Sequence, residues 1–371
     1  MTGNTTTSRK LAVGLSGGID SSVAAYLLQQ QGYEVVGLTM QTWDGSIPLE
    51  NAGRAGCYGP GEAEDIASAR RIADQLGIPH VVVPLAAEYK AEVLEYFRQE
   101  YLAGRTPNPC VRCNHRVKFG LLLDRARAQH GVEFELFATG HYARVAYDAS
   151  RGRHLLLRGQ DLKKDQSYFL SHLTQAQLGQ LVLPLGERQK HEVRQIASQL
   201  GWDHLLEKRE SQDFIECDSY DVLFRPEDAT PGPIVNAEGK VVGQHSGIIR
   251  YTVGQRRGLK LGGFPRPLYV TGVNKADNSV RVGEKKDLYS QKFVATRLNW
   301  IALPQVPAEP LCVMAKVRQA HQPAAARLTA IEWNGQPALE VVFQEPQLAI
   351  TPGQTTVFYD GDVVLAAGTI A

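Results

Sequence analysis

Two short stretches of this chain carry residue types that do chemistry. In the first, LAVGLSGGIDSSVAAYLL (residues 11–28), an apolar run breaks into Ser16-Gly17-Gly18-Ile19-Asp20-Ser21-Ser22 and passes straight into helical spacing. Paired glycines let the main chain approach a ligand closely, and serines add hydroxyl donors. The helix that follows aims its free N–H groups at the same place. The segment from Gly14 through Leu15 to Ser21 is therefore an anion cradle. A Walker loop would put a Lys before its last Ser or Thr, and this loop has none. A Gly-rich turn capped by Ser and Asp is the plainer reading of the bare motif, and the strand–loop–helix context weighs against it.

The second stretch, PNPCVRCNHRVKF (residues 107–119), sets Cys110 and Cys113 three residues apart. Arg105, Arg112, Arg116 and Lys118 surround them, and no acid lies between Tyr101 and Leu123. Such a field favours thiolate, which serves equally as a nucleophile and as a metal ligand. A structural zinc site would need a second pair of ligands that the sequence lacks. A redox pair would open a helix directly after a strand, whereas this pair follows a helix and a Pro-rich segment. With Pro107 and Pro109 in it, Thr106 to Asn114 is expected to be a loop and not regular structure. Cys57 and Cys312 have neither partners nor charge around them in sequence and read as ordinary structural cysteines.

The elements that must hold these stretches alternate in type. Leu11 to Leu15, Glu34 to Met40, His80 to Leu85 and Phe134 to Ala138 read as strands. Ser21 to Gln31, Glu62 to Leu76, Ala86 to Ala103 and Lys118 to Gln129 read as helices, the first three closed by Gly32, Gly77 and Gly104. That grammar belongs to an α/β fold, a doubly wound parallel sheet. After about residue 220 it gives way to short strands punctuated by Gly and Pro. From about residue 292 two-residue hairpin signals, at Asn334-Gly335 and Asp360-Gly361, point to a small terminal β-barrel. The expected division is 1–220, 221–291 and 292–371.

Composition narrows the partners. The 371 residues hold 40 Lys+Arg against 39 Asp+Glu, a net charge of +1, so no global field draws the chain to nucleic acid or anionic lipid. A local patch must serve instead. Gly239 to Tyr269 has Lys240, Arg250, Arg256, Arg257, Lys260 and Arg266 with no acid, interleaved with His245, Tyr251 and Phe264. Core packing is the expected role for any single one of those aromatics. The five cysteines, an odd number, and a start that lacks a signal-peptide core suggest a soluble, cytoplasmic protein without a disulfide framework or a membrane span.

The SGGIDSS loop resembles the pyrophosphate loop of the ATP pyrophosphatases, which implies ATP split between its α and β phosphates. Taken with GRTPNPCVRCNHRVKF (104–119), ATGHYAR (138–144), LLRGQDLKKDQSYFL (156–170), PLGERQKHEVRQIA (184–197) and YTVGQRRGL (251–259), the chain resembles the tRNA-specific 2-thiouridylase family (MnmA/TrmU) in register from about residue 9 to the terminal barrel. The resemblance implies adenylation of O2 of the wobble uridine in tRNAs for Lys, Glu and Gln, then its replacement by sulfur. The products would be 2-thiouridine, AMP and pyrophosphate. It implies ATP phosphates on Gly14 to Ser21, with Gly17, Gly18 and Ile19 between them, Met40 and Gly140 beside the adenosine, and Asp20 positioning Mg2+. It also implies the target base at Asn108, Pro109 and Cys110, and tRNA contacts at Lys164, Asp165, Gln166 and Arg318.

Two departures bear on the sulfur route. Many relatives have Asp where this chain has Cys110, which leaves Cys113 as the nucleophile. The second catalytic cysteine usually lies in a motif like SxxIC, but in Ser211-Gln212-Asp213-Phe214-Ile215-Glu216-Cys217 it comes two residues late. Both departures fit Cys110, Cys113 and Cys217 ligating a four-iron, four-sulfur cluster, as in the tRNA thiolases that carry CxxC plus a distant Cys; its open iron would present sulfide to the adenylated base. The alternative is a persulfide on Cys217, loaded by a cysteine desulfurase or relay protein, with Cys113 assisting release. Two remoter readings are an amide-forming ligase with the same loop, which would release AMP without tRNA, and a non-catalytic RNA-binding or metal-storage protein.

Overall fold

The computed structural model describes residues 9–49, 56–208 and 213–371. Their packing resolves two units that do not follow chain order: residues up to Glu92 together with Arg112–Asp218, and Val93–Val111 together with Ser219–Ala371.

The first unit opens with β1 (Lys10–Gly14), α1 (Ile19–Gln30), β2 (Glu34–Gln41), α2 (Glu62–Leu76) and β3 (His80–Pro84). A helix made of α3 (Ala86–Tyr89), a wider π turn at Lys90–Leu94 and α4 (Glu95–Leu102) then carries the chain into the second unit. It returns through α5 (Pro109–Cys113), a π-helical stretch Asn114–Leu121 and α6 (Leu122–His130). Next come β4 (Leu136–Ala138), a hairpin of β5 (Ala143–Asp148) and β6 (Arg153–Arg158), α7 (Ser167–Leu170), α8 (Gln175–Gly179), β7 (Leu181–Val182), α9 (Lys190–Gln199) and α10 (Asp203–Glu207).

Five strands form one parallel sheet in the order β3-β2-β1-β4-β7. Strand order reverses at β1, the switch point at which open α/β sheets bind ligands beyond their carboxyl ends. Leu11, Val13 and Leu15 pack with Ala25 and Leu28 of α1 and Ala69 and Ala73 of α2, so the small residues of both helices let them lie close on the sheet. The other flank of α1 meets Val193, Ala197 and Trp202, which seats α9 beside the phosphate loop.

The sequence places Thr106 to Asn114 in a loop; the structure corrects this, since helix begins at Pro109. Proline is tolerated at the first helical position, where no N–H is needed, and the Asn108 carboxamide oxygen accepts the Val111 N–H at 3.1 Å as a cap. Residues 93–111 are held with the second unit: Phe97 and Tyr101 pack on Tyr220 and Phe224, and Arg98 grips Asp228 with three bonds of 2.7, 2.9 and 3.1 Å.

That second unit contains a four-stranded sheet, β8 (Gly232–Val235), β9 (Val241–His245), β10 (Tyr269–Asn274) and β11 (Ser279–Gly283), around Ile234, Val270, Val280 and Val282. Six further strands follow: β12 (Tyr289–Trp300), β13 (Leu311–Lys316), β14 (Ala324–Trp333), β15 (Gln336–Leu348), β16 (Thr355–Asp360) and β17 (Val363–Ile370). Pairing of β12 with both β15 and β17 closes them into a barrel and removes free edges. Asn334-Gly335 makes the expected hairpin turn, with both residues at positive φ. The second loop is Gly361-Asp362, one residue later than read, because Asp360 still pairs with Val363. Among the described residues no helix is long and apolar enough to cross a membrane.

Candidate active site

The phosphate loop is tied by its own hydroxyls. Ser21 Oγ donates to the Gly18 carbonyl (3.0 Å) and accepts the Ser16 N–H (3.1 Å), while Ser22 Oγ reaches the same carbonyl at 2.9 Å. Gly17 has φ +70, and a Cβ there would fall 2.2 Å from the Asp65 carbonyl oxygen, so both conformation and space demand glycine. Ser68 Oγ donates to the Gly17 carbonyl (3.0 Å), locking α2 against the loop. Gly140 fits as closely on the other side, where a Cβ would lie 2.6–2.9 Å from the Asp20–Ser21 main chain. Met40 is the last residue but one of β2, at the same carboxyl edge.

Two lysines distant in sequence reach this loop. Lys190 Nζ, at the first turn of α9, donates to both oxygens of Asp20 at 2.7 Å, and Tyr142 OH donates to Oδ1 at 2.8 Å. Lys208 Nζ lies 2.5 Å from Asp65 and donates to the Gly17 carbonyl at 3.1 Å. Neither was singled out from sequence, where the absence of a lysine within the loop stood out. A lysine two residues after Gly-Glu-Arg, at a helix start, was the available signal. Oδ1 of Asp20 thus accepts two bonds and Oδ2 one, which leaves a lone pair on Oδ2 facing the loop's end of the sheet. The cradle itself fits a polyphosphate: glycine main chain, exposed Ser16, a helix N-terminus and two ammonium groups.

The thiols differ from expectation. Cys113 is 7% exposed, and burial pushes its pKa up to about 12, only partly opposed by Lys118. The basic surroundings do not act as read, because their charge is already matched. Arg112 and Arg116 pair with Glu92 at 2.7 and 3.4 Å, and Arg105 pairs with Glu100 at 2.8 Å. Glu92 and Glu100, the two acids that match these arginines, lie outside the basic stretch in the linear sequence. Cys217 is buried, and Cys110, half-buried, is the second residue of α5. The Ser211 and Gln212 of the SxxIC-like stretch lie outside the described residues.

The cluster reading does not fit these side chains. Among the described residues no three His, Cys, Asp or Glu gather as metal ligands. Cys57, set aside from sequence as structural, is instead exposed on the loop between β2 and α2. Lys118 acts on Cys57, Cys113 and His141 together, and the ring of its neighbour Phe119 meets His141 at 5.9 Å. His141, half-buried, is kept neutral, with Nδ1 2.7 Å from the Thr139 hydroxyl. Since His141 follows Gly140, the thiol cluster and the phosphate loop share one carboxyl edge.

The remaining expected contacts are placed as follows. Asp165 is buried and accepts the N–H groups of Gly159 and Ser167, both at 3.0 Å, so its side chain fastens its own loop. Gln166 Oε1 accepts the Tyr142 N–H, and Lys164 is half-buried. Arg318 donates to the Leu348 carbonyl at 2.9 Å. In the basic stretch, Arg250 and Arg266 pair with Asp221 and Glu284, while Arg256, Arg257, Lys260 and Lys240 are exposed. His245 and Tyr251 are core residues and Phe264 is exposed.

Family models match in three consecutive pieces: a tRNA methyl transferase HUP domain over residues 9–217, a tRNA methyl transferase PRC-barrel domain over 221–284 and an aminomethyltransferase beta-barrel domain over 290–370. The tRNA-specific 2-thiouridylase MnmA of Endomicrobium trichonymphae is 45% identical over 366 residues, covering 98% of this chain and 99% of that one. This chain belongs to the MnmA family. The MnmA of Magnetococcus marinus is likewise 45% identical, over 98% of this chain and 99% of its own length, and that of Geotalea uraniireducens 45% over 98% and 95%.

Proposed function

We propose that this enzyme uses ATP to replace O2 of a tRNA uridine by sulfur, giving 2-thiouridine, AMP and pyrophosphate, and that the target is the wobble uridine of tRNAs for Lys, Glu and Gln. The observation that carries the reading is the meeting of a self-tied phosphate loop and a thiol cluster at one sheet edge, joined through Gly140 and His141. The C2 carbonyl of uracil is urea-like, a poor electrophile with a poor leaving group. Adenylation cures both defects, and a sulfur nucleophile must then stand close by.

ATP, taken with Mg2+, supplies the activating adenylyl group and the pyrophosphate leaving group. Gly17, Gly18, Ser16 and Ser21 would cradle its phosphates, with Lys190 and Lys208 countering the charge that develops on departing pyrophosphate. Met40 and Gly140 would flank the adenosine. Asn108, Pro109 and Cys110 would meet the target base, and Lys164 and Arg318 would touch the RNA. Arg256, Arg257 and Lys260 offer exposed charge to its phosphates.

For the sulfur we propose the persulfide route, loaded by a cysteine desulfurase or relay protein, with Cys113 as the thiol that releases product. A buried neutral thiol suits a late intramolecular step better than capture of sulfur from a donor protein. Anaerobic purification with iron and acid-labile sulfide analysis tests this. Full thiolation by iron-free protein is expected, whereas four irons per chain that are lost with Cys110→Ala would overturn the persulfide route.

A further inference from the structure

The loop that carries Cys57 is fastened against the segment leading to Cys217. Gly56 pairs with Asp213 in a parallel bridge, the Cys57 N–H donates to the Asp213 carbonyl (3.2 Å) and the Glu216 N–H donates to the Tyr58 carbonyl (2.9 Å). The Thr42 hydroxyl lies 2.9 Å from the Cys57 carbonyl, and Glu62 holds Thr42 and Trp43 by their N–H groups at 2.6 and 3.0 Å. A Cβ on Gly56 would sit 2.7 Å from the carbonyl carbon of Ile215, so the two segments lie main chain to main chain. Ile215 fills the place at which the SxxIC pattern has its cysteine, and Cys57 stands on the loop fastened beside it.

Three features set Cys57 apart from the other cysteines of the first unit. It is exposed, whereas Cys113 and Cys217 are buried. Its main chain is pinned beside Ile215, the position at which the SxxIC pattern carries the cysteine that works with the loop thiol. It stands at the carboxyl edge, on the loop that ends in α2, whose first turn backs onto Gly17 of the phosphate loop. Desolvation by the surrounding protein pushes the free Cys57 thiol pKa up, with Lys118 opposing and Asp65, Asp213 and Glu62 adding to it, so the unloaded thiol is quiet at neutral pH.

We propose that Cys57 is the thiol that receives the sulfane sulfur and Cys113 the thiol that releases it, the two forming the sulfur-transfer pair. The inference rests on the thiolation reading above. A persulfide donor transfers its outer sulfur to Cys57, leaving the donor as a thiol. The outer sulfur of Cys57–S–SH attacks C2 of the adenylated uridine, AMP departs with the C2 oxygen, and the S–H proton goes to solvent. Cys113, losing its proton, then attacks Cys57 Sγ. The bond between Cys57 Sγ and the transferred sulfur breaks, its electron pair stays on that sulfur as 2-thiouridine, and a Cys57–Cys113 disulfide remains. A dithiol reductant restores both thiols for the next turnover.

The test is a single turnover with ATP, substrate tRNA and sodium polysulfide as sulfur source, without reductant, followed by peptide mapping and nucleoside analysis. In the wild-type chain the disulfide is expected between Cys57 and Cys113. Cys57→Ser and Cys57→Ala are expected to lower the 2-thiouridine yield at least about a hundredfold with unchanged melting curves. Cys113→Ser is expected to trap tRNA on Cys57 as an adduct that dithiothreitol releases. A disulfide mapped to Cys110–Cys113 or Cys113–Cys217, or wild-type yield from both Cys57 variants, would overturn the pair and leave thiolation standing. Absence of both 2-thiouridine and tRNA-dependent pyrophosphate release in the wild-type chain would instead sink the thiolation reading.

Discussion

The phosphate loop and the thiol edge occupy the same end of one sheet and are assembled in opposite ways. Nine consecutive residues, Gly14 to Ser22, make the loop, and their own hydroxyls and glycines fix its shape. The thiol edge gathers Cys57, Cys113, Lys118 and His141 from three separate segments and depends on α2, α5 and β4 to bring them together. A local motif survives being read in a line. A distributed one does not, since its electrostatics are set by partners that the line separates.

The largest effect is expected where the local motif has no freedom. Gly17→Ala meets both a positive φ and the Asp65 carbonyl, and should cut tRNA-dependent pyrophosphate release by roughly a hundredfold or more while the thiols keep their reactivity. A loss under threefold would mean that the loop does not hold the phosphates. Next comes the distributed side: Cys113→Ser should reduce 2-thiouridine formation about a thousandfold while pyrophosphate release persists. Equal loss of both would merge the two regions into one function.

Lys190 links the comparison's two sides, because a residue far along the chain completes the local loop. Removal of a charge-assisted bond of this kind costs about 1.5–3 kcal/mol, so Lys190→Met should raise the KM for ATP roughly tenfold or more, with Lys190→Arg recovering part of it. An unchanged KM would reduce the lysine to a structural partner of Asp20.

Legibility followed the same division. The parallel sheet, the switch-point loop, α1, α2 and the Asn334-Gly335 turn were readable because short-range spacing, glycine and apolar alternation dictate them. The helix start at Pro109 was missed because two prolines argue for a loop until Asn108 is seen to cap the turn. The expected low pKa at Cys113 failed because Glu92 and Glu100, outside the basic window, neutralise its arginines. Cys57 looked solitary for the same reason: Lys118 and Cys113 approach it only once the sheet is built.

Smaller effects sharpen the contrast. With its pKa near 12, Cys113 is protonated at neutral pH, so its alkylation by iodoacetamide should accelerate about tenfold per pH unit from 7 to 10, and exposed Cys57 should react first throughout. A flat profile at Cys113 would reveal a thiolate that burial does not permit. The smallest change is expected in the second unit, where Arg256→Ala with Arg257→Ala should weaken tRNA binding several-fold and flatten its salt dependence by about one to two in slope. An unaltered slope would move the RNA surface elsewhere.

The central claim is that one sheet edge couples adenylation to sulfur transfer. The most direct measurement is the ratio of AMP to 2-thiouridine formed by purified chain with ATP, tRNA and a persulfide donor, with and without tRNA. One AMP per 2-thiouridine, and no AMP when tRNA is omitted, is the predicted result. AMP released without tRNA in the presence of a small carboxylate would contradict it and mark the chain as a ligase with the same loop.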